Sequence, residues 1–379
     1  MRQVVIAGYL RSPFTPAGKG ALVRVRPDDL AAAVVRELVA RTGVPPDDLE
    51  DLIVGCAFPE GEQGLNVART IGLLAGLPLS VAATTINRFC GSSMQAIHLA
   101  AGAIHAGAGN AFVCAGIESM SRVPVMGFNP LPHPGLAAER PAAYHSMGRT
   151  AETLARRHGV TRAAQDAFAL ASHRKAAAAE AKGHFADEIV PVTGPDGVTV
   201  NHDGSIRADT SLAQLATLPP SFEASGTVTA GTSSPLTDGA SAVLVTGEDY
   251  ARAHGLPVLA RLRSMAVAGC DPEIMGIGPV PATRKALTRA GIEIGDLDLV
   301  ELNEAFAAQA LVCLDQLGLD PARVNLDGGA LALGHPLGAT GARITGKAEA
   351  LLRRHGKQFA LATQCIGGGQ GIATVLEAV

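Results

Sequence analysis

An internal repeat constrains the fold of this chain more than any other feature of its sequence. Residues 28–54 and residues 280–300 both read as an amphipathic helix, a glycine, an acidic turn and a short apolar strand. Residues 86–119 and residues 325–368 both read as a loop of small residues, a helix rich in small residues and a strand. A repeat of this kind predicts two similar halves of about 120 residues each.

Strand-like and helix-like segments alternate along the first half. Apolar runs at 4–9 and 51–56 have the length of strands, whereas residues 30–42 have the apolar spacing of a helix. This alternation is typical of an α/β fold, in which helices cover a sheet. A chain of 379 residues has room for two or three folded units.

The stretch between the two halves differs from them in composition. Residues 119–236 concentrate proline, histidine and charge, which indicates a large insertion with its own helices. Insertions of this size are more often functional than incidental. We therefore predict a first half formed by residues 1–118 and 237–260, an inserted loop domain at 119–236 and a second half at 261–379.

Charge and polarity exclude two classes of protein. The formal net charge is −4 and the chain has no basic block, so we expect no nucleic-acid-binding surface. Residues 89–117 form an uncharged stretch of 29 residues, which is long enough to span a bilayer. That stretch includes two histidines and five glycines, so we interpret it as a buried segment of a soluble protein with no membrane span.

The N-terminus and the cysteines point to a reducing compartment. The opening MRQVVIAGYLRSPF lacks the apolar length and the cleavage site of a signal peptide. The six cysteines show no CxxC pair and no zinc-type spacing with histidine, which argues against a disulfide framework and a structural metal. We expect a cytoplasmic protein without a metal site.

Cys90 is a candidate nucleophile because of its position. It stands immediately before a predicted helix that opens with glycine and two serines, in NRFCGSSMQAIHLA. The unpaired N–H groups and the positive dipole end of a helix favour a thiolate there. The alternative is a small buried hydrophobic residue, which is how we interpret Cys56, Cys114, Cys270 and Cys313.

Three more polar residues stand at loops or strand ends. His335 lies in GALALGHPLGATG, where glycines would let the backbone approach a ligand, although a histidine near glycines is weak evidence alone. Cys365 precedes GGGQG, which fits an anion nest, a tight turn or a phosphate loop, but the chain lacks the P-loop pattern. Asn303 follows an apolar strand, and a plain helix N-cap is its alternative role.

Taken together, these segments resemble the thiolase family. The resemblance spans the chain through seven ordered motifs: VVIAGYLRSPF, RFCGSSMQAIHLA, AGIESMS, TVTAGTSSPLTDGA, LNEAFAAQA, GGALALGHPLGATGAR and CIGGGQGIATV. It implies two βαβ-rich halves stacked in five α-β-α-β-α layers, with an inserted loop domain. It also implies an acyltransferase that cleaves 3-oxoacyl-CoA with CoA, reversibly, to acetyl-CoA and a shortened acyl-CoA.

The resemblance also implies roles for individual residues. Cys90 matches the nucleophile that carries the acyl group, and Cys365 matches the cysteine that exchanges a proton with the acetyl-CoA carbon. His335 matches the histidine that activates the nucleophile and donates to a carbonyl oxygen, and Asn303 the residue that holds a water beside it. The N–H groups of Cys90 and Gly367 match a second oxyanion hole.

Four residues match positions that contact CoA or the acyl group. Ser234 matches the serine on the pantetheine arm, and Arg207 a basic residue near the nucleotide, although Arg207 could equally be a solvated loop charge. Met147 and Phe306 match residues on the two sides of the acyl pocket, with plain packing as their alternative. CoA is then a substrate, and no other cofactor is implied.

Departures from the family pattern bear on the substrate. Residues 232–234 read TSS, a spelling similar to degradative 3-ketoacyl-CoA thiolases, and Ser146 leaves a roomier acyl pocket than the histidine of many biosynthetic members. Residues 217–220 read TLPP and lack the basic residues expected near the adenine. We therefore predict a thiolase of fatty-acid β-oxidation, with a short-chain acetyl-CoA acetyltransferase working in the biosynthetic direction as the alternative.

Two other classes of function were weighed against this one. A ketoacyl-synthase-like condensing enzyme shares the fold but lacks an acid cysteine at the position of Cys365. A binding or scaffold protein that has lost catalysis would not need every catalytic position filled. The resemblance further implies a homodimer or homotetramer, and it leaves open an association with other β-oxidation enzymes.

Overall fold

The computed structural model describes residues 2–379 and contains twelve strands and twelve helices. The strands are β1 (Val4–Arg11), β2 (Thr15–Pro16), β3 (Leu49–Cys56), β4 (Ala82–Ile86), β5 (Ala111–Ser119), β6 (Val192–Thr193), β7 (Thr199–Val200), β8 (Thr237–Gly247), β9 (Ala260–Gly269), β10 (Leu299–Leu302), β11 (Phe359–Ile366) and β12 (Gln370–Glu377). The helices are α1 (Pro27–Thr42), α2 (Val67–Ala75), α3 (Ser92–His105), α4 (Pro134–Glu139), α5 (Met147–His158), α6 (Arg162–Ala181), α7 (Leu212–Ala216), α8 (Glu248–Ala253), α9 (Pro279–Ala290), α10 (Ala307–Leu317), α11 (Ala330–Leu333) and α12 (Thr340–His355).

Ten of the strands form one mixed sheet, and the order of its strands reflects the repeat in the sequence. The order is β10-β11-β12-β9-β1-β8-β5-β3-β4, with β2 paired to β8. Strands β1 and β9 meet at the centre through two residue pairs, Val5 with Arg261 and Ile6 with Ala260. Outward from this join, β1-β8-β5-β3 and β9-β12-β11-β10 occupy matching places. The repeated sequences at 28–54 and 280–300 therefore build corresponding parts of two halves.

Three hydrophobic clusters lie between layers of helices and strands. Helices α1 and α2 bury residues such as Leu30 and Ile71 against one face of the first half. Helices α9 and α10 do the same against the second half. Between the halves, α3 and α12 share one cluster, which includes Met94 and Ile344 and takes in residues from the strands of both halves. The result is the expected stack of five α-β-α-β-α layers.

The uncharged stretch at 89–117 is part of this core. It forms α3 and most of β5, and every residue of β5 is buried. Within residues 2–379, no helix has both the length and the apolar character needed to cross a membrane.

The excursion between β5 and β8 contains α4 to α7 and the small β6–β7 hairpin. It is tied to the first half where Arg11 exchanges backbone hydrogen bonds with Glu188 and Val190, both of 2.8 Å. It is tied to the second half where Ser234 N donates to Ala305 O at 3.0 Å. The excursion therefore reaches the carboxyl end of β10, where Asn303 lies.

Candidate active site

Cys90 is presented by a strained turn between β4 and α3. Phe89 has a φ of +43°, a left-handed conformation that is costly for a residue with a side chain. Ser92 stabilises the turn: its hydroxyl donates to Phe89 O at 2.6 Å and accepts from Arg88 N at 2.9 Å. Backbone strain held in this way at one residue before a cysteine is typical of functional sites.

Close packing brings Cys90 against the end of β11. A Cβ atom on Gly91 would lie 2.5 Å from Ile366 Cδ1, so a larger residue there would displace the Ile366 side chain. From β11, the side-chain amide of Gln364 donates to Cys90 O. These contacts join the two halves at Cys90.

The thiol of Cys90 faces backbone donors but is buried. The N–H groups of Gly367 and of Cys90 itself point at the thiol and favour its ionised form. Burial outweighs them and raises the pKa of Cys90 to about 11. The backbone donors thus favour the thiolate as expected, but desolvation opposes the charge more strongly than they support it, so the thiol is protonated at neutral pH.

His335 lies on the loop between α11 and α12. Gly334, which precedes it, has a φ of +103°, and a Cβ there would lie 2.6 Å from Thr237 Oγ1. That same oxygen accepts a hydrogen bond from His335 N at 3.0 Å. Burial, followed by the charge of Arg343, lowers the pKa of His335 to about 3. The imidazole is thus neutral at physiological pH.

Asn303 contacts the ring of His335. Its amide nitrogen lies 3.3 Å from His335 Nε2, and its Oδ1 has no hydrogen-bond partner within the described chain. Helix α10 starts later, at Ala307, with Phe306 as its N-cap residue. The N-cap alternative for Asn303 is therefore wrong, and a fully buried amide oxygen is left available.

The starts of α3 and α12 meet beside this pair. Ala342 N donates to Ser93 Oγ at 2.9 Å, and Gly338 N donates to Glu118 Oε2 at 2.9 Å. A Cβ on Gly338 would collide with Ile117 O. The loop that carries His335 is therefore fixed on the first half, at the carboxyl ends of β3 and β5, the usual edge for a site in an open α/β sheet.

Cys365 lies in an apolar cluster next to Cys90. The cluster comprises Ala151, Val228, Met275, Ala305, Phe306 and Cys365, with Met147 packed at its edge. Cys365 is only 1% exposed. Burial and the neighbouring Cys90 raise the pKa of Cys365 well above its usual range. Cys365 is therefore a neutral thiol that has a proton to give.

The predicted CoA contacts are only partly brought together. Met147, at the start of α5, packs in the same cluster as Phe306, and the chain at Ser233–Ser234 pairs with Ala305–Phe306. Arg207 is exposed, and its guanidinium makes no ion pair with any residue in 2–379. Its neighbour Ile206 packs in a different cluster.

Several residues of the site carried no recognisable sequence signal. Phe222 packs edge-on against Phe306, with ring centroids 5.9 Å apart, and Met275 joins the Cys365 cluster from a distant segment. Thr237 and Glu118 hold the His335 loop through contacts that span about a hundred residues or more. Thr237 and Glu118 lie inside the motifs TVTAGTSSPLTDGA and AGIESMS, but nothing in those motifs indicated that their side chains hold the His335 loop.

Two models of known protein families match the chain. The family model for "Thiolase, N-terminal domain" matches residues 4–249, and that for "Thiolase, C-terminal domain" matches residues 256–378. The chain belongs to the thiolase family.

Particular relatives are similar over their whole lengths. A 3-ketoacyl-CoA thiolase of Shewanella sp. (strain ANA-3) is 52% identical over 388 aligned residues, which cover 100% of both chains. The human mitochondrial 3-ketoacyl-CoA thiolase structure has a TM-score of 0.93 at 39% identity, covering 100% of this chain and 99% of that one. The structure of the human enzyme in complex with CoA has a TM-score of 0.92 at 38% identity and covers 100% of this chain and 98% of that one. The structure of the Bacillus anthracis acetyl-CoA acetyltransferase has a TM-score of 0.93 at 41% identity and covers 100% of this chain and 99% of that one.

Proposed function

We propose that this chain is a 3-ketoacyl-CoA thiolase that cleaves 3-oxoacyl-CoA with CoA through an acyl-enzyme on Cys90. The observation that carries the proposal is the contact of buried Cys90 with the segment that holds buried Cys365: Gln364 donates to Cys90 O, and the N–H of Gly367 faces the thiol of Cys90. Full-length identity of 52% to a 3-ketoacyl-CoA thiolase supports it.

The first step forms the bond between the enzyme and the acyl group. His335, neutral because it is buried, takes the thiol proton of Cys90, and the sulfur attacks the 3-keto carbon. The N–H groups of Gly367 and Cys90 then hold the oxyanion that develops on the keto oxygen. A preorganised donor of this kind contributes about 10²–10³ in rate.

The second step breaks the bond between the α and β carbons. Its electron pair passes to the thioester, which becomes an enolate. The oxygen of this enolate faces the protonated His335 and the side-chain amide of Asn303. Cys365 donates its proton to the enolate carbon and releases acetyl-CoA. A neutral acid suits this task, and burial keeps Cys365 protonated.

The third step returns the enzyme to its starting state. The thiol of a second CoA loses its proton to Cys365 and attacks the acyl carbon, and the sulfur of Cys90 leaves with the proton of His335. Thioester exchange transfers no electrons to or from the enzyme, so CoA is needed as a substrate and the chemistry calls for no redox cofactor.

The substrate preference is proposed to be degradative, within fatty-acid β-oxidation. The apolar cluster around Phe306 and the small Ser146 support an acyl chain longer than acetyl. The equal TM-score to an acetyl-CoA acetyltransferase keeps the short-chain biosynthetic reaction as the second candidate.

We further propose how the chain is organised and where it works. The first half comprises residues 1–118 and 237–260, and the second comprises residues 261–379. Residues 119–236 form a CoA-binding loop domain. It places Ser234, Met147 and, more remotely, Arg207 along the CoA molecule. The enzyme is a cytoplasmic homodimer or homotetramer. Association with other β-oxidation enzymes is part of the same proposal.

The deciding experiment measures CoA-dependent loss of 3-oxoacyl-CoA enolate absorbance for chains of four to sixteen carbons. We expect turnover that extends beyond acetoacetyl-CoA. Activity confined to acetoacetyl-CoA would instead establish the biosynthetic candidate.

Cys90→Ala tests the nucleophile. We expect thiolysis to fall by about 10⁴-fold or more and the acyl-enzyme, detected by mass spectrometry after substrate without CoA, to disappear. Cys114→Ala is the matched control, because Cys114 is buried within β5 and should leave the label in place. A label that persists in Cys90→Ala contradicts the assignment.

Cys365→Ala separates a thiolase from a condensing enzyme. Removing the thiol that protonates the enolate carbon should lower thiolysis by about 10²–10⁴-fold. A ketoacyl-synthase-like enzyme needs no such cysteine. Full thiolysis in this variant would favour the condensing enzyme.

A further inference from the structure

The second ring nitrogen of His335 has a partner of its own. His335 Nδ1 lies 2.6 Å from Thr340 Oγ1. Thr340 is the first residue of α12 and is fully buried. The same hydroxyl oxygen lies 3.0 Å from Pro336 O. Thr340 therefore bridges the imidazole and the backbone of its own loop.

The contact with Pro336 O favours one direction for both bonds. A carbonyl oxygen has no proton, so the hydroxyl of Thr340 is the donor in that contact. The hydroxyl oxygen then accepts from the ring, which places the proton of the neutral imidazole on Nδ1. His335 Nε2 is left with a free lone pair.

The contact on the other side of the ring agrees with this assignment. Asn303 approaches Nε2 with its amide nitrogen, at 3.3 Å, and an amide N–H donates to a bare ring nitrogen. Two contacts from different segments, one on α12 and one after β10, thus favour the same tautomer.

We propose that Thr340 is a positioning residue that holds His335 in its Nδ1–H tautomer and so leaves Nε2 unprotonated, able to exchange its hydrogen bond from Asn303 for the proton of Cys90. This inference rests on the proposed function. Thr340 acts through His335 and contacts neither substrate nor the reacting atoms. With the other tautomer, Nε2 would already carry a proton, and the first step would lack its base.

Thr340→Val removes the hydroxyl and keeps the shape. We expect kcat for thiolysis to fall by about 10-fold or more at neutral pH, with KM changed less than about threefold. The deficit should shrink as the pH rises, because Cys90 then ionises without a base. Thr340→Ser restores the hydroxyl and should recover most of the activity.

Thr345→Val is the matched control. Thr345 is a second fully buried threonine of α12, and its hydroxyl donates to Gly341 O at 2.7 Å. It should keep near wild-type kcat and the wild-type pH profile. A loss as large as that of Thr340→Val would show that any buried hydroxyl of this helix matters, and would overturn the inference.

A spectroscopic measurement keeps the test independent of turnover. In protein labelled with ¹⁵N-histidine, the His335 signals, assigned by their loss in His335→Gln, should show a protonated Nδ1 and a bare Nε2. Thr340→Val should lose this preference. A protonated Nε2 in the wild type overturns the inference even if the chain is an active thiolase, whereas absent thiolysis with the expected tautomer would count against the proposed function alone.

Discussion

At the scale of single residues, burial keeps Cys90 and His335 as two neutral groups at neutral pH instead of an ion pair. Burial raises the pKa of Cys90 to about 11 and lowers that of His335 to about 3. A helix dipole contributes at most about 2 kcal/mol, whereas full burial shifts a pKa by up to about 3–5 units, at about 1.4 kcal/mol each. Desolvation therefore decides the resting state, and charge develops only when substrate is attacked.

This balance predicts a specific pH dependence of Cys90 alkylation. A raised pKa means that the thiol stays protonated below about pH 11, so the thiolate fraction grows about tenfold per pH unit. The rate with iodoacetamide, followed at Cys90 by mass spectrometry, should keep rising between about pH 7 and 10. N-acetylcysteine, an ordinary thiol, should level off in that range. A plateau at Cys90 near neutral pH would mean a stabilised thiolate.

At the scale of elements, the site depends on how closely α3 and α12 pack. Gly341 lies in the first turn of α12, and a Cβ there would collide with the backbone nitrogen of Met94 in α3. Both helices start at the site, so this approach also sets the separation of the Cys90 turn and the His335 loop. The small residues that the two repeated segments share are therefore a packing requirement.

Gly341→Ala should destabilise this helix pair. The collision is with backbone, which cannot turn aside like a flexible side chain, so we expect a loss of about 1–3 kcal/mol in the free energy of unfolding, together with lower thiolysis. Urea unfolding followed by circular dichroism measures the first quantity.

Gly102→Ala, on helix α3, is the matched control, and we expect it to raise the free energy of unfolding instead of lowering it. A Cβ at Gly102, an exposed position in α3, would meet nothing within 4 Å. Replacing glycine by alanine in a helix should stabilise it by about 0.5–1 kcal/mol. Equal effects of the two substitutions would contradict the packing argument.

At the scale of the whole molecule, a buried ion-pair network joins the excursion to both halves. Arg11 on β1 pairs with Asp203 at 2.7 Å and with Glu188 at 2.8 Å, and all three side chains are almost fully buried. Glu188 also pairs with Lys347 on α12 at 2.7 Å, and Lys347 with Asp327 at 3.1 Å. The network therefore fixes the inserted segment on the five-layer core.

Arg11→Met should weaken the whole fold. Removing one partner leaves buried carboxylates without their counter-charge, which costs about 3–5 kcal/mol of unfolding free energy. The urea midpoint, measured at one fixed protein concentration, should fall accordingly. Arg156→Met, which breaks the exposed pair with Glu223, should change stability by less than about 1 kcal/mol. Similar losses in both variants would contradict a structural role for the buried network.

Much of the architecture followed from the sequence because its signals are local. The helix at 30–42, the strands at 4–9 and 51–56, and the matching segments at 280–300 lie within or beside α1, β1, β3 and α9. Their apolar periodicity is a property of neighbouring residues, and the repeat then implied two like halves. Cys90, His335, Cys365 and Asn303 were predicted as site residues from local motifs that resemble those of the thiolase family.

What only the tertiary structure decided lies between distant parts of the chain. The neutral state of Cys90, the orphan oxygen of Asn303 and the contact of Phe222 with Phe306 all depend on what the two halves and the excursion place around a residue. Burial, and therefore pKa, is set by neighbours that lie far away in sequence, as Gly367 does from Cys90. The sequence by itself determined the elements and the candidate reactive residues, and packing determined the burial of those residues and their partners.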